Sequence, residues 1–327
     1  MSSSRDRYEI EFVEDPAVDL LRVLFDYGEL LPADVSRLRE STTDVLLTRR
    51  LETQLQALNP WIDQDGIRRA ISAIARVSAI DLIDANEKVH TALTYGITLP
   101  HTDANGRRQD RSVRYFDFET VEKNTFEFAR QVTFKGPRQE IVPDITIYVN
   151  GIPLVVIECK SPALSDPIGD ALRQFRRYEG RDEFQGLGAP RLFEVSQISL
   201  ALARDVAKSG TTATPTRFWA DWRDPYPLSS DALASRLGRT PTPQDALLAG
   251  MLAPENLLDL VRNFIIFETI DGKRIKKIAR YQQYVAVGRT IERIRTASRP
   301  DKRGGVIHHT QGSGKSLTMV FLAIKLR

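Results

Sequence analysis

Pro143-Asp144-Ile145-Thr146-Ile147-Tyr148-Val149-Asn150-Gly151-Ile152-Pro153-Leu154-Val155-Val156-Ile157-Glu158-Cys159-Lys160 is the stretch that decides the fold. Two apolar runs, Ile145 to Val149 and Ile152 to Lys160, flank Asn150-Gly151, a strong hairpin signal. Ile152 to Ile157 is almost continuously apolar, which predicts a central strand. Glu158 and Lys160 then sit at the end of that strand. Unpaired charge is costly in such a place, so a bound ion or substrate is expected there.

Parity along the strands relates Asp144 to this pair. Glu158 and Lys160 point to one face, and Cys159 points to the other as a core residue. A two-residue Asn150-Gly151 loop pairs Asp144 with Ile157 and puts it on the wrong face. A three-residue loop, 149–151, with Gly151 in the left-handed bulge position, pairs Asp144 with Val156. Asp144 then shares the face of Glu158 and Lys160. The odd-length loop is therefore expected. Two carboxylates suit Mg²⁺, a hard cation that prefers oxygen, so Asp144 and Glu158 are the candidate metal ligands. Such a metal lowers the pKa of bound water and offsets charge on a phosphate under attack. Lys160 can orient the water or stabilise the transition state. A plain hairpin with a surface Glu/Lys pair would carry the same letters.

Working outward, residues 15–40 read as helical pieces interrupted at Pro32-Ala33. Residues 43–58 read as a helix closed by Asn59-Pro60, and 66–95 as two more helical stretches. Charges cluster through 101–114, which reads as a loop around Asn105-Gly106. Alternation at Tyr115 to Glu119, then Phe126, Phe128 and the Gln131 to Phe134 stretch, reads as strands. After Pro162 comes a helix with Asp166 as N-cap, Pro167 in its first turn and Gly180 as its stop. Gln174 and Tyr178, four apart, share one face of it. Strands are expected at roughly 192–204 and 210–213. Residues 223–248, rich in Pro, Ser, Asp and Thr, read as a connector.

Beyond the connector, Leu257 to Ile265 forms a helical stripe, and a second helix is expected near 280–296. Gly304-Gly305 then leads into an expected short strand, Val306 to His308, and a helix from Leu317. Between them stands Thr310-Gln311-Gly312-Ser313-Gly314-Lys315-Ser316. A glycine-rich loop between strand and helix can cradle phosphates with its backbone N–H groups. Lys315 would reach the β/γ phosphates of ATP, and the Ser316 hydroxyl would take Mg²⁺. The general pattern has Gly at 309, where this chain has His309.

These motifs together resemble a known family. Pro143-Asp144 … Glu158-Cys159-Lys160 looks like the PD-(D/E)xK nuclease core. It most resembles the version in the restriction (R) subunits of type I restriction-modification enzymes. The family's QxxxY motif is matched by Gln174-Phe175-Arg176-Arg177-Tyr178, and its helicase motif I by His309 to Ser316. Arg280-Tyr281-Gln282-Gln283-Tyr284 is similar to its adenine-recognising region. There Gln283 would bond the base and Tyr281 could stack on it; Tyr281 and Tyr284 could equally be core residues. Arg173, Arg176, Arg177 and Arg181 are candidates for DNA phosphate contacts, or plain solvated arginines. An acid on an early helix often completes this fold's metal site; Glu52 and Glu87 are both candidates. His90 reads as structural.

The resemblance implies an α/β fold: a PD-(D/E)xK restriction-endonuclease-like core, a mixed central sheet flanked by helices, then the incomplete start of a RecA-like P-loop domain. It implies an endonuclease domain over 1–225, a connector over 226–250, and the first part of a motor domain over 251–327. It implies Mg²⁺-dependent hydrolysis of double-stranded DNA, with catalytic residues Asp144, Glu158, Lys160, Gln174 and Tyr178. ATP, held by Gln283 and Thr310 to Ser316, would drive translocation in a longer R subunit. Partners would be the modification (M) and specificity (S) subunits. No Asp or Glu follows Asp301, so a Walker B carboxylate is missing from this sequence. The last eighty residues are expected to order mainly as helices, with the strand before the phosphate loop poorly supported. A non-catalytic docking and nucleotide-binding module, or a stand-alone repair nuclease, are the other readings.

Composition sets the outer limits. The 327 residues are 42% hydrophobic and 27% charged, which excludes disorder and collagen. Lys and Arg exceed Asp and Glu by only 46 − 43 = +3, so charge alone does not indicate nucleic acid. One cysteine, Cys159, cannot form an internal disulfide, which fits a cytoplasmic setting. The longest apolar runs are too short to span a bilayer, so no membrane association is expected.

Overall fold

The computed structural model describes residues 4–103, 105–308, 310 and 314–327. Among the described residues, six strands form one mixed sheet. In spatial order they are Gly28–Leu30, Phe126–Arg130, Ile145–Val149, Ile152–Cys159, Ile198–Leu202 and Ala207–Gly210. The first two run parallel, as do Ile152–Cys159 and Ile198–Leu202; the other neighbours are antiparallel. Every residue of Ile145–Val149 and Ile152–Cys159 is buried. A strand without an exposed position needs cover on both faces, which is why Ile152 to Ile157 is apolar. The Pro167–Glu179 helix supplies part of that cover against Ile152–Cys159 and Ile198–Leu202. Asp166 caps that helix by accepting from Gly169 N, Pro167 sits in its first turn, and Gly180 ends it in the left-handed region.

The central hairpin turns in two residues, not three. Val149 pairs with Ile152, while Asn150 (φ 53°) and Gly151 (φ 81°) make the turn. Two positive φ angles in succession fit the twist of the flanking strands. Asn150 is tied down: its Oδ1 accepts from Thr125 N, and its Nδ2 donates to Tyr115 O and Asn124 Oδ1. Gly151 has no room for a side chain, because a Cβ there would lie 2.8 Å from Leu47 O.

The register changes one step along. Ile147 pairs with Val155 but Tyr148 pairs with Pro153, so Leu154 is an inserted residue, a β-bulge. Bulges are where a central strand tolerates proline, and Pro153 stands beside this one. Beyond the bulge Ile145 pairs with Ile157, and the next residues along, Asp144 and Glu158, fall opposite one another. The expected three-residue loop and the Asp144–Val156 pairing are therefore corrected. The shared face survives, because one extra residue in a strand shifts parity as one extra residue in a loop does.

Other elements differ from the sequence reading for local reasons. The helix expected over 43–58 is Thr48–Leu58; Leu47 N is spent on Gly151 O, 2.8 Å away. The charged 101–114 region is mostly strand. Ile97–Thr102 and Arg108–Val113 pair as a hairpin with outward-facing charges. Residues 115–119 form no strand, since Asp117 Oδ1 accepts from Glu119 N and Thr120 N in a local turn. Pro190–Val195 is a helix where a strand was expected, and the strands there are Ile198–Leu202 and Ala207–Gly210. The Gly28–Leu30 edge strand lies inside 15–40, which read as helical, and Ile265, placed in the helical stripe, instead opens the Ile265–Ile270/Lys273–Ile278 hairpin, whose remaining residues carried no assignment.

Within 223–248 the chain forms the Ser230–Leu237 helix and enters the Pro243–Leu252 helix. The second buries Leu247, Leu248, Met251 and Leu252 and packs on the Asp15–Phe25 helix. Further on, the Pro254–Asn263, Tyr281–Thr296 and Lys315–Leu326 helices meet around Phe264, Tyr284 and Phe321. Val306 to His308 is not a strand. No helix among the described residues is long and apolar enough to cross a membrane.

Candidate active site

Strand ends bring the first cluster together. Asp144 precedes Ile145–Val149, Glu158 lies one residue from the end of the neighbouring Ile152–Cys159 strand, and Lys160 follows that strand directly. Asp144 Oδ2 accepts from Cys159 N at 2.7 Å, and Oδ1 accepts from Gln131 Nε2 at 3.1 Å. Lys160 Nζ lies 3.3 Å from Glu158 Oε2 and 3.9 Å from Asp144 Oδ2. It also donates to Cys159 O. Glu158 is fully buried and Asp144 is 7% exposed. Cys159 faces away into the core, as its place in the alternation requires.

Electrostatics follows from that burial. Burial and the charge of Asp144 hold the Glu158 carboxyl well above the ordinary carboxylate range, against the pull of Lys160. Burial works against the Lys160 ammonium, yet Glu158, Asp144 and Glu9 together raise its pKa. A lysine among three acids keeps its proton.

Two acids were missed by the sequence reading. Glu9 Oε2 accepts from Ser161 N at 3.1 Å, next to Lys160, and Glu14 lies close enough to raise the charge density at Asp144. Burial raises the pKa of both. Glu14 is 3% exposed and is held by Arg130 Nε at 2.6 Å, whose Nη2 also reaches Asp15. Residues 10–14 form a π-helical segment, with i→i+5 bonding. That wide turn brings residues five apart to one side, which α-helical spacing does not. Glu52 and Glu87 are elsewhere. Glu52 is exposed on the helix that docks at the Gly151 end of the hairpin, the opposite end from Asp144. Glu87 pairs with Arg274. His90 Nε2 sits 2.9 Å from Val261 O in a buried contact, a structural role.

The donor set suits a hard cation. Glu158 Oε1 is buried and has no hydrogen-bond partner among the described residues. An orphaned carboxylate oxygen is costly, and a divalent ion shared with Asp144 would satisfy it. Among the described residues no three acids, histidines or cysteines already form a ligand cage; Asp144 and Glu158 would be the first ligands, and Glu9 or Glu14 would have to close in to supply a third.

The helix after the strand completes the cluster. Gln174 Nε2 donates to Tyr178 Oη at 2.6 Å, and Tyr178 Oη donates to Val142 O at 3.1 Å. Burial, then the Glu158 charge, raises the Tyr178 pKa, so this hydroxyl stays a donor. The four arginines sort themselves. Arg181 is paired with Glu179 and Arg176 with Glu183, whereas Arg173 and Arg177 are exposed, stacked over Phe184 and Tyr178.

The segment expected to bind phosphate is a separate locus. Gln283 is buried; its Oε1 accepts from Arg280 N, and its Nε2 donates to Gly314 O at 3.0 Å. Gly314 adopts φ 83° before the Lys315–Leu326 helix, whose first residues Lys315 and Ser316 are exposed. Tyr281 and Thr310 line one cleft of about 360 Å³. Tyr284 is core, packed on Phe264 with its hydroxyl on Asn256 Oδ1. Of the expected loop residues, His309, Gln311, Gly312 and Ser313 lie outside the described residues.

Fold and site thus define an α/β protein with a mixed central sheet and an acidic, lysine-centred cluster at its strand ends. Comparison with known proteins gives the family. The family model described as type I restriction enzyme R protein N terminus matches residues 9–218, and the chain belongs to that family. A second model, SWI2/SNF2 ATPase, matches residues 282–327. The chain is 31% identical over 308 residues to the type I restriction enzyme HindI endonuclease subunit of Haemophilus influenzae, covering 92% of this chain and 28% of that protein. It is 29% identical over 336 residues to the putative type I restriction enzyme MjaIXP endonuclease subunit of Methanocaldococcus jannaschii, covering 96% of this chain and 31% of that one. The chain therefore spans under a third of the length of these relatives.

Proposed function

We propose that this chain carries the endonuclease centre of a type I restriction R subunit, on a PD-(D/E)xK core, and hydrolyses phosphodiesters of double-stranded DNA with Mg²⁺. The observation behind this reading is the buried, unsatisfied oxygen of Glu158 opposite Asp144 and beside Lys160. Asp144 and Glu158 would hold the ion, with Glu14 or Glu9 as the further acid. Mg²⁺ so held would activate a water and offset charge on the phosphate. Lys160 keeps its proton and faces the developing negative charge. Gln174 and Tyr178 orient one another across the mouth of the cluster, and Arg173 and Arg177 present charge to the DNA backbone. Residues 251–327 would open a RecA-like motor, with ATP over Gln283 and the 310–316 loop. That reading rests on the SWI2/SNF2 match and the Gln283–Gly314 contact. In the longer subunit we propose ATP-driven translocation and assembly with M and S subunits.

Nicking of supercoiled plasmid tests the reaction. The wild-type chain with Mg²⁺ or Mn²⁺ is expected to produce open circles, and Lys160→Ala is expected to be inactive. Equal nicking by the two chains would overturn the assignment.

A further inference from the structure

The Lys273–Ile278 strand carries a buried lysine that the acidic site does not use. Lys276 is 6% exposed. Its Nζ donates to Asn86 Oδ1 at 2.7 Å, Gln197 Oε1 at 2.7 Å and Gln197 O at 3.1 Å. Three acceptors match the three N–H bonds of an ammonium. None of them is a carboxylate, so the lysine is held by neutral oxygens. Burial pulls its pKa well below the ordinary lysine value, with Glu179 pushing back. Phe267, from the paired strand, covers it at 5.6 Å from ring centre to Nζ. A desolvated cation is kept in such a place only by full coordination.

Each side of this contact leads somewhere. Asn86 Nδ2 donates to Phe193 O and Ser196 O, and Gln197 Nε2 donates to Val195 O. Gln197 N donates to Leu154 O at 2.8 Å. Leu154 is the bulged residue that sets Asp144 opposite Glu158. On the other side the hairpin runs straight into Arg280, whose N–H donates to Gln283 Oε1, and Gln283 Nε2 holds Gly314 O. One lysine therefore joins the strand that carries Glu158 to the element that opens the phosphate loop.

We propose that Lys276 is a positioning residue that latches residues 254–327 onto the central sheet, so that Gln283 with Gly314 and the Leu154 bulge are set in place together. It touches no reacting group. The proposal stands on the packing alone and does not need the nuclease reading to hold.

Amide hydrogen exchange on the whole chain tests it, in wild type, Lys276→Met, Gln283→Ala and the double variant. Lys276→Met is expected to speed exchange across 265–278 and at Gln197 at least about tenfold, leaving Phe126–Arg130 protected. Gln283→Ala alone is expected to speed exchange at Gln197, and that increment is expected to vanish in the double variant. Such non-additivity marks coupling rather than shared fragility. Additive effects, unchanged protection, or a uniform loss over the whole chain would overturn the proposal. Should Lys276→Met fail to fold, Lys276→Gln carries the same comparison.

Discussion

The backbone N–H of Cys159 donates to Asp144 Oδ2 at 2.7 Å. One carboxylate is thereby fixed by the strand that bears the other. Gln131 (φ 52°) holds the second Asp144 oxygen, and its own N–H donates to Asp144 O. A non-glycine residue in the left-handed region at the mouth of an acidic cluster is strain kept where chemistry is expected. Glu158, in contrast, has one oxygen on Lys160 and one that meets no donor among the described residues, with its carboxyl close enough to that of Asp144 to share a proton.

Glu158→Gln separates function from stability. A raised carboxyl pKa means that ionisation opposes folding once pH rises above the ordinary carboxylate range. Glutamine keeps the shape without the charge. The variant is expected to melt at or above the wild-type temperature at neutral pH while losing divalent-ion binding. A clear fall in Tm would show that the carboxylate is structural.

Glu14→Gln and Glu9→Gln identify the third acid. Removing the one that supports the ion is expected to weaken Mn²⁺ binding roughly 10–100-fold. The other should change it little. Glu52→Gln is a control far from the cluster. An equal loss in Glu52→Gln would contradict the placement.

Gly151→Ala tests the tight turn. The residue needs φ 81° and a Cβ would strike Leu47 O at 2.8 Å. A loss of about 1–3 kcal/mol in urea unfolding is expected. A neutral result would mean that the turn relaxes.

His90 gives the chain an acid-sensitive contact. Burial, then Lys276, lowers its pKa from 6.5 to about 3. The folded state thus holds the neutral ring, so this stability is full above about pH 6.5 and is lost as pH falls towards 3. His90→Gln should flatten the fall in urea midpoint between neutral and acid pH. An unchanged slope would assign the acid sensitivity elsewhere.

Sequence made the centre of the sheet legible because one apolar run and one Asn-Gly turn specify it. The helix after it was legible from Asp166, Pro167 and Gly180. The bulge was not, since Pro153 and Leu154 read as strand letters and only pairing reveals an inserted residue. Glu9 and Glu14 escaped because a π turn, not an α turn, aligns them. Lys276 reads as one basic letter in Lys273-Arg274-Ile275-Lys276-Lys277; its burial depends on Asn86 and Gln197, which come from distant parts of the chain. The Asp271-Gly272 turn before it was a local signal, and its φ angles of 49° and 73° show the same turn chemistry as Asn150-Gly151.

Calorimetric titration of Mn²⁺ into the wild-type chain and into Asp144→Ala is the most direct measurement. Saturable binding in the wild type and none in the folded variant is the expected result. Equal heats in the two, or no binding by the folded wild type even with a short DNA duplex present, would contradict a metal centre at Asp144 and Glu158.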